Sequence, residues 1–167
     1  ESFNRATRTW KIKDWYFRYA EAFTDKRQYV LAEEKYEQIL RDYPGDKRGI
    51  LDYARLETTR LADYQKADRL LQRILDKDPH DYEALLASGD NSIEWADRTP
   101  AKYEAARLAY AILLDTYGVK DELLFRMLRY FIRTDNYGEA ERLRAYFASR
   151  PDTRIDAAVY AELGGYL

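Results

Sequence analysis

Cysteine is missing from this sequence altogether, and several other residue types are scarce. The 167 residues include no Cys, 1 His, 7 Gly and 4 Pro. The absence of Cys excludes disulfide bonds and thiolate chemistry, and it leaves the cellular compartment open. The single histidine, His80, has no second imidazole or thiolate with which to build a zinc site. The low Gly and Pro content disfavours an all-β fold, whose many tight turns need these residues.

Long apolar runs and an excess of charge of one sign are also missing. No run approaches the roughly 18 residues that a membrane-spanning helix needs. The 28 basic and 30 acidic residues give a formal net charge of −2, without the basic excess that is typical of nucleic-acid-binding domains. There is no glycine-rich phosphate loop and no nucleophile–base pair, and adjacent carboxylates such as Glu33 and Glu34 are expected to be solvated. We therefore expect no enzyme activity, no cofactor and no metal.

Aromatic residues, by contrast, are plentiful and recur with alanine at a regular spacing. The chain has 16 Tyr, 3 Trp and 6 Phe. The pattern Tyr-x-x-Ala occurs four times, and successive alanines are 35, 39 and 34 residues apart. Each occurrence opens a stretch with apolar residues at helical spacing, and each stretch ends at a proline or a glycine. The four pairs are Tyr29/Ala32, Tyr64/Ala67, Tyr103/Ala106 and Tyr137/Ala140.

A second helix-length segment precedes each motif, so the repeating unit is helix, short turn, helix. A small alanine lets the two helices of a unit approach closely, and the aromatics fill the gap to the next unit. We predict repeats over residues 13–45, 46–80, 81–118 and 119–152 and a half repeat over 153–167, which makes nine helices. We expect one domain over 1–167. Because Glu1 rather than Met comes first, we expect this domain to be part of a longer protein.

The third repeat has a longer internal turn than the others. We predict that Thr99 is the N-cap of its second helix and that Pro100 is the first helical residue. Trp95 should then lie in a protruding hairpin, where it either packs against Tyr103 or Arg107 or forms a contact site. The small pair Ser88-Gly89 marks a place where the helices must touch.

The spacing and residue types resemble those of tetratricopeptide repeats. The matching positions are Tyr16, Tyr19-Ala20, Phe23, Ala32, Tyr36 and Pro44 in the first unit, and Leu85, Gly89, Ala106 and Tyr110 in the third. The sequence departs from the pattern at Glu57, where an apolar residue is expected, and at Arg144, where an aromatic is expected. The resemblance covers about residues 13–167 and implies an all-α fold, a right-handed α-α superhelix.

The resemblance also implies that the first helix of each repeat lines a concave groove. When the four repeats are aligned on this pattern, an apolar row of side chains lies beside rows of alternating charge. The apolar row is Phe17, Leu51, Leu86 and Phe125; the charged rows are Glu21, Arg55, Asp90, Arg129 and Asp25, Thr59, Glu94, Arg133. We expect Phe17 and Phe125 to anchor a partner segment. For the charges, neutralisation between adjacent repeats is the favoured alternative. Arg126 joins Arg129 and Arg133 in a basic stripe that could meet an acidic partner.

Taken as a whole, these features predict a scaffold that binds a protein or peptide partner in the groove. Two alternatives stay open. The first is a structural element of a larger complex that uses its convex face or open ends, with self-association through Tyr160–Leu167. The second is an RNA-processing scaffold similar to half-a-tetratricopeptide repeats, which the negative net charge disfavours.

Overall fold

In a computed structural model, the chain is entirely α-helical over the part that the structure describes. That part covers residues 2–149, with side chains from residue 12 onward, and it has eight α-helices, one π-helical turn and no strand. The helices are α1 (Ser2–Asp25), α2 (Tyr29–Asp42), α3 (Lys47–Leu56), α4 (Tyr64–Leu75), α5 (Tyr82–Ala96), α6 (Lys102–Tyr117), α7 (Asp121–Arg133) and α8 (Tyr137–Ala148). The π turn, Glu57–Leu61, follows α3 directly. The ninth helix, predicted within 153–167, lies outside the described residues.

The Tyr-x-x-Ala motifs mark the starts of four helices. A motif tyrosine is the first residue of α2, α4 and α8, and Tyr103 is the second residue of α6. The alanine of every motif is buried, because it lies on the helix face that packs against neighbouring helices. None of the described helices combines the length and the apolar character needed to cross a membrane.

Three of the turns inside the helix pairs share one backbone conformation. Arg27, Ala62 and Asp135 have φ values of 58°, 56° and 56°, in the left-handed region that non-glycine residues seldom adopt. Each of them lies two residues before a motif tyrosine. A left-handed residue at this point ends one helix and lets the chain reverse into the next.

The third turn differs from the prediction in its details. Helix α6 begins at Lys102 after Ala101, so Thr99 is not its N-cap and Pro100 is not its first residue. The segment closes instead by tight turns, in which the Lys102 N–H donates to the Thr99 carbonyl at 2.9 Å. Trp95 packs inside this hairpin, with the Lys102 Nζ atom 3.7 Å from the centroid of its ring.

The chain divides within α5, between Ala87 and Ser88, into two compact units. In the first unit α1 packs on α2, α2 on α3, and α3 on α4. The core of that unit includes the buried side chains Ile39, Tyr53 and Leu71.

In the second unit α6 packs on α7, and α7 packs on α8. Its core includes Leu128, Ile132 and Phe147. Gly89 and Tyr110 are in close contact there, because a Cβ atom added to Gly89 would overlap the Tyr110 ring.

Candidate functional site

A cleft lies in the first unit between the C-terminal part of α1 and the end of α3. Its volume is about 260 Å³. We call it the α1–α3 cleft, and its walls and floor are formed by Glu21, Thr24, Asp25, Tyr36, Asp52, Arg55, Leu56, Thr59 and Arg60. Four of these residues belong to the predicted charged rows, namely Glu21, Arg55, Asp25 and Thr59. The structure therefore brings part of the predicted groove together in one place.

The charged residues of the cleft are only partly neutralised by one another. The predicted pair of Glu21 with Arg55 does not form, because Glu21 pairs with Arg48 at 2.8 Å and Arg55 pairs with Asp52 at 3.3 Å. Arg48 also reaches Asp52 at 3.3 Å. These side chains are linked along and between α1 and α3, and the exposed Arg55 pair is weak.

Two charged groups of the cleft have no ion-pair partner among the described residues. Asp25 forms none, and Arg60 has only the ring of Tyr29, at 5.9 Å from the guanidinium carbon. One acidic and one basic group are therefore available to a ligand of the cleft.

The cleft is lined in part by the buried side chain of Tyr36. Its ring stacks on Tyr53, with ring centroids 5.7 Å apart and an interplanar angle of 15°. Burial, together with the carboxylates of Asp52 and Glu21, raises the pKa of Tyr36 to about 12. The phenol is therefore neutral at physiological pH and adds no charge to the cleft.

In the first unit, the structure contradicts the expected exposure of the apolar row. Phe17 is only 3% exposed, because the Arg48 guanidinium lies over its ring at 4.2 Å. Leu86 is 5% exposed, and Leu51 is partly buried against the core. Phe17 and Leu86 are core residues as the protein stands, so neither is available as a surface anchor.

In the second unit, Phe125 also has a packing role. It is partly buried and stacks on Phe147, with ring centroids 4.3 Å apart and an interplanar angle of 3°. One face of the Phe125 ring is therefore covered, and its role as an anchor for a partner segment stays a prediction.

The predicted basic stripe of α7 is paired with two acids of α5 and with Asp97, which directly follows α5. The register differs from the predicted pairing of Asp90 with Arg129 and of Glu94 with Arg133. The observed pairs are Arg126 with Asp90 at 2.9 Å, Arg129 with Glu94, and Arg133 with Asp97 at 2.8 Å. The stripe is thus neutralised from within the chain, which favours a packing role for it over the binding of an acidic partner.

Asp90 also accepts a hydrogen bond in addition to its ion pair with Arg126. The Tyr110 hydroxyl donates to it at 3.1 Å. Burial raises the pKa of Asp90 even though the charge of Arg126 acts in the opposite direction. The carboxylate is partly exposed, but its contacts with Arg126 and Tyr110 already occupy it.

A buried polar cluster that the sequence reasoning missed lies in the first unit. Glu57 is only 1% exposed, and Lys66 Nζ lies 3.2 Å from its Oε1 atom. Lys66 also bonds to Glu33, and the Tyr53 hydroxyl lies 3.2 Å from Glu33 and 3.1 Å from Glu37. We call these five residues the Glu57 cluster.

One expectation is corrected by this cluster. Glu33 is partly buried and hydrogen-bonded, whereas its neighbour Glu34 is exposed as expected. The available signal was Glu57 itself, a charged residue at a position where the repeat pattern requires an apolar one. A buried carboxylate needs a cation, so a lysine one turn into the next helix was the residue to look for.

The second unit has a larger and more apolar groove between α6 and α7. Its volume is about 500 Å³, and it contains none of the predicted site residues. Its apolar side chains are those of Tyr110, Ala111, Leu114, Met127, Tyr130 and Phe131. Such a groove suits an apolar side chain rather than a charged one.

No protein-family model matches the chain, and no curated protein is significantly similar to it. Within the described part of the chain, no group of three or more His, Cys, Asp or Glu side chains is arranged to hold a metal ion.

Proposed function

We propose that this chain is a tetratricopeptide-type helical repeat protein, and that it binds a segment of a partner protein in the α1–α3 cleft. The observation that carries the proposal is that Asp25 and Arg60, which form no ion pair, line the same cleft. Both side chains are exposed at the cleft, so a ligand that carries an acidic group and a hydrogen-bond donor or a cation can pair with both of them.

The size of the cleft supports a peptide side chain as the ligand. Pockets for cofactors and drug-sized molecules usually have about 300–1,000 Å³. The α1–α3 cleft, at about 260 Å³, is smaller than that range and fits one or two side chains of a protein segment. A partner with an acidic side chain opposite Arg60 and a hydrogen-bond donor opposite Asp25 matches its charges.

The hydroxyl groups of the cleft favour binding over catalysis. Thr24 Oγ1 donates to the Ala20 carbonyl at 2.8 Å, and Thr59 Oγ1 donates to the Arg55 carbonyl at 2.8 Å. Each hydroxyl proton is donated to a backbone carbonyl and not to a general base, so neither threonine is activated as a nucleophile in this arrangement.

The test is selection of peptides from a random displayed library on the purified protein. Wild-type protein should enrich peptides that contain acidic residues. Arg60→Glu should weaken their binding by about tenfold, since it replaces an attraction by a repulsion. Folding should be intact, because Arg60 makes no ion pair in the described chain.

The matched control is Arg69→Glu, the same charge reversal on an exposed residue of α4 outside the cleft. Binding should be unchanged in this variant. Equal loss in both variants would mean that overall charge, not the cleft, governs binding.

A second candidate function, an assembly element, is favoured by the apolar lining of the groove between α6 and α7. Ala111→Arg places a charged side chain in that groove, and Ala105→Arg is the matched change at an exposed position of the same helix. If the selected peptides lose affinity for the Ala111 variant alone and retain it for Arg60→Glu, the groove is the binding site and the cleft proposal fails.

A further inference from the structure

The π turn connects the α1–α3 cleft with the Glu57 cluster. Thr59 and Arg60 of this turn line the cleft. Glu57, the first residue of the same turn, is buried in the cluster. Any movement of the turn that takes Glu57 out of the cluster therefore also moves Thr59 and Arg60.

Charged and titratable groups face Glu57 from each of the three helices packed around it. Helix α2 contributes Glu33 and Glu37, α3 contributes Tyr53, and α4 contributes Lys66. Three carboxyl groups thus share one ammonium group. When all three are ionised, the negative charges exceed the positive one. The repulsion acts mainly on Glu57, because its side chain is 1% exposed, whereas those of Glu33 and Glu37 are 24% and 48% exposed.

Glu57 is the member of the cluster that benefits most from a proton. It is the most buried of the three carboxyls, and its Oε1 atom accepts no hydrogen bond of good geometry although Lys66 Nζ lies 3.2 Å away. In its neutral form Glu57 can donate a hydrogen bond to the Glu33 carboxylate, and this bond lowers the pKa of Glu33. The proton therefore replaces a repulsion by a hydrogen bond.

The backbone of the turn is held in two uncommon conformations. A π-helical turn is rare in proteins and is found most often at functional sites. It ends at Ala62 with φ of 56°, and the Asp63 N–H reaches back to the Glu57 carbonyl at 3.2 Å. Such a segment keeps its shape only while its surroundings hold it. Here Glu57 is buried and Leu61 packs against the core of the first unit, so these two side chains anchor the turn.

We propose that the π turn is a proton-operated hinge: a protonated Glu57 holds the turn against α2 and α4 and fixes Thr59 and Arg60 in the cleft wall, whereas loss of the proton releases them. The regulatory meaning of this hinge rests on the proposed binding function of the cleft. Burial is the main cause that raises the pKa of Glu57 to about 7, and the Glu33 carboxylate adds to it. The hinge therefore operates near neutral pH.

The experiment is a nuclear magnetic resonance titration of the unliganded protein from about pH 5 to about pH 9. Side-chain carboxyl carbons of glutamate and backbone amides are followed together. In the wild type, the Glu57 carboxyl carbon and the amides of Thr59 and Arg60 should move with one common midpoint close to pH 7. In Glu57→Gln, which mimics the protonated form, the common transition of the two amides should be lost.

Two further variants make the test specific. Glu33→Gln removes the neighbouring carboxylate that raises the pKa of Glu57, so the midpoint should fall. Glu34→Gln is the control at an exposed adjacent position and should titrate like the wild type. If Glu57→Gln fails to fold, the shift in Glu33→Gln still decides the question.

Flat amide signals in the wild type, or an unchanged midpoint in Glu33→Gln, would overturn the hinge. The failure of the binding proposal has a different signature. In that case the amides titrate as expected while peptides selected on the protein bind the Arg60→Glu variant as tightly as the wild type.

Discussion

At Gly89, α5 and the Tyr110 ring are so close that there is no room for a side chain. Replacing Gly89 by alanine should lower the free energy of unfolding by about 1–3 kcal/mol, because the new methyl group has to displace a buried ring. Urea denaturation monitored by circular dichroism measures this change.

Gly138 is the matched control for Gly89. It also lies in a helix, but nothing lies within 4 Å of a Cβ atom added there. Alanine at Gly138 should raise the free energy of unfolding by about 0.5–1 kcal/mol, since alanine loses less backbone entropy in a helix than glycine. Substitutions at the two glycines with the same sign and size would contradict the close contact at Gly89.

Single residues also show where the sequence reasoning was insufficient. Phe17 lies on the predicted face of its helix, but Arg48 covers its ring, and a residue pattern does not show which neighbour covers a side chain. The arginines of α7 find acids of α5 as predicted, but one turn away from the predicted register. That register depends on the axial offset of two helices and on the direction of long side chains, which spacing alone does not contain.

At the scale of the element, the repeated turns are the feature most open to test. Ala62 has φ of 56° in the turn that leads into α4, between the two helices of the second repeat. Glycine avoids the steric cost of this conformation, so Ala62→Gly should raise the free energy of unfolding by about 0.5–1 kcal/mol. Thermal and urea unfolding of the variant check this value.

Ala111→Gly is the control for the turn variant. Ala111 is exposed inside α6, where glycine should lower the free energy of unfolding by about 1 kcal/mol. If Ala62→Gly destabilised the protein as much as Ala111→Gly, Ala62 would not have the left-handed backbone conformation described above.

Helix starts could be predicted from the sequence, whereas the π turn could not. The buried alanines and their tyrosines recur every 34 to 39 residues, a spacing that fits a repeated pair of helices. The starts of α2, α4 and α8 therefore follow from the local pattern. Glu57, the first residue of the π turn, is instead in contact with Lys66, which lies on another helix and pairs with Glu33 on a third one. The sequence contained one signal of it, the misplaced charge of Glu57.

At the scale of the whole molecule, the Glu57 cluster makes stability depend on pH. The folded protein raises the pKa of Glu57 from the ordinary 4.5 to about 7, so it binds this proton more tightly than the unfolded chain does. The resulting stabilisation is fully present below about pH 4.5 and is lost as the pH rises through about 7. Between about pH 5 and pH 8, the free energy of unfolding should fall by about 2–3 kcal/mol relative to Glu57→Gln.

This difference is measured by urea unfolding of both proteins at each pH. Asp46 and Asp81 have lowered pKa values, so their contributions to the free energy of unfolding change only in more acidic solution. They do not alter the difference expected between about pH 5 and pH 8. Parallel pH profiles for the wild type and Glu57→Gln would mean that Glu57 does not bind the proton in the folded state.

The proposed function requires a partner segment to occupy the α1–α3 cleft. Site-specific photo-crosslinking in the native host cells tests this most directly, with a photoreactive amino acid at Thr24 in the cleft or at Gln65, an exposed position of α4 outside it. We predict one discrete cross-linked partner from Thr24, its loss when Arg60→Glu is added, and none from Gln65. The same products from both positions, or a Thr24 product that Arg60→Glu leaves unchanged, would contradict binding in the cleft.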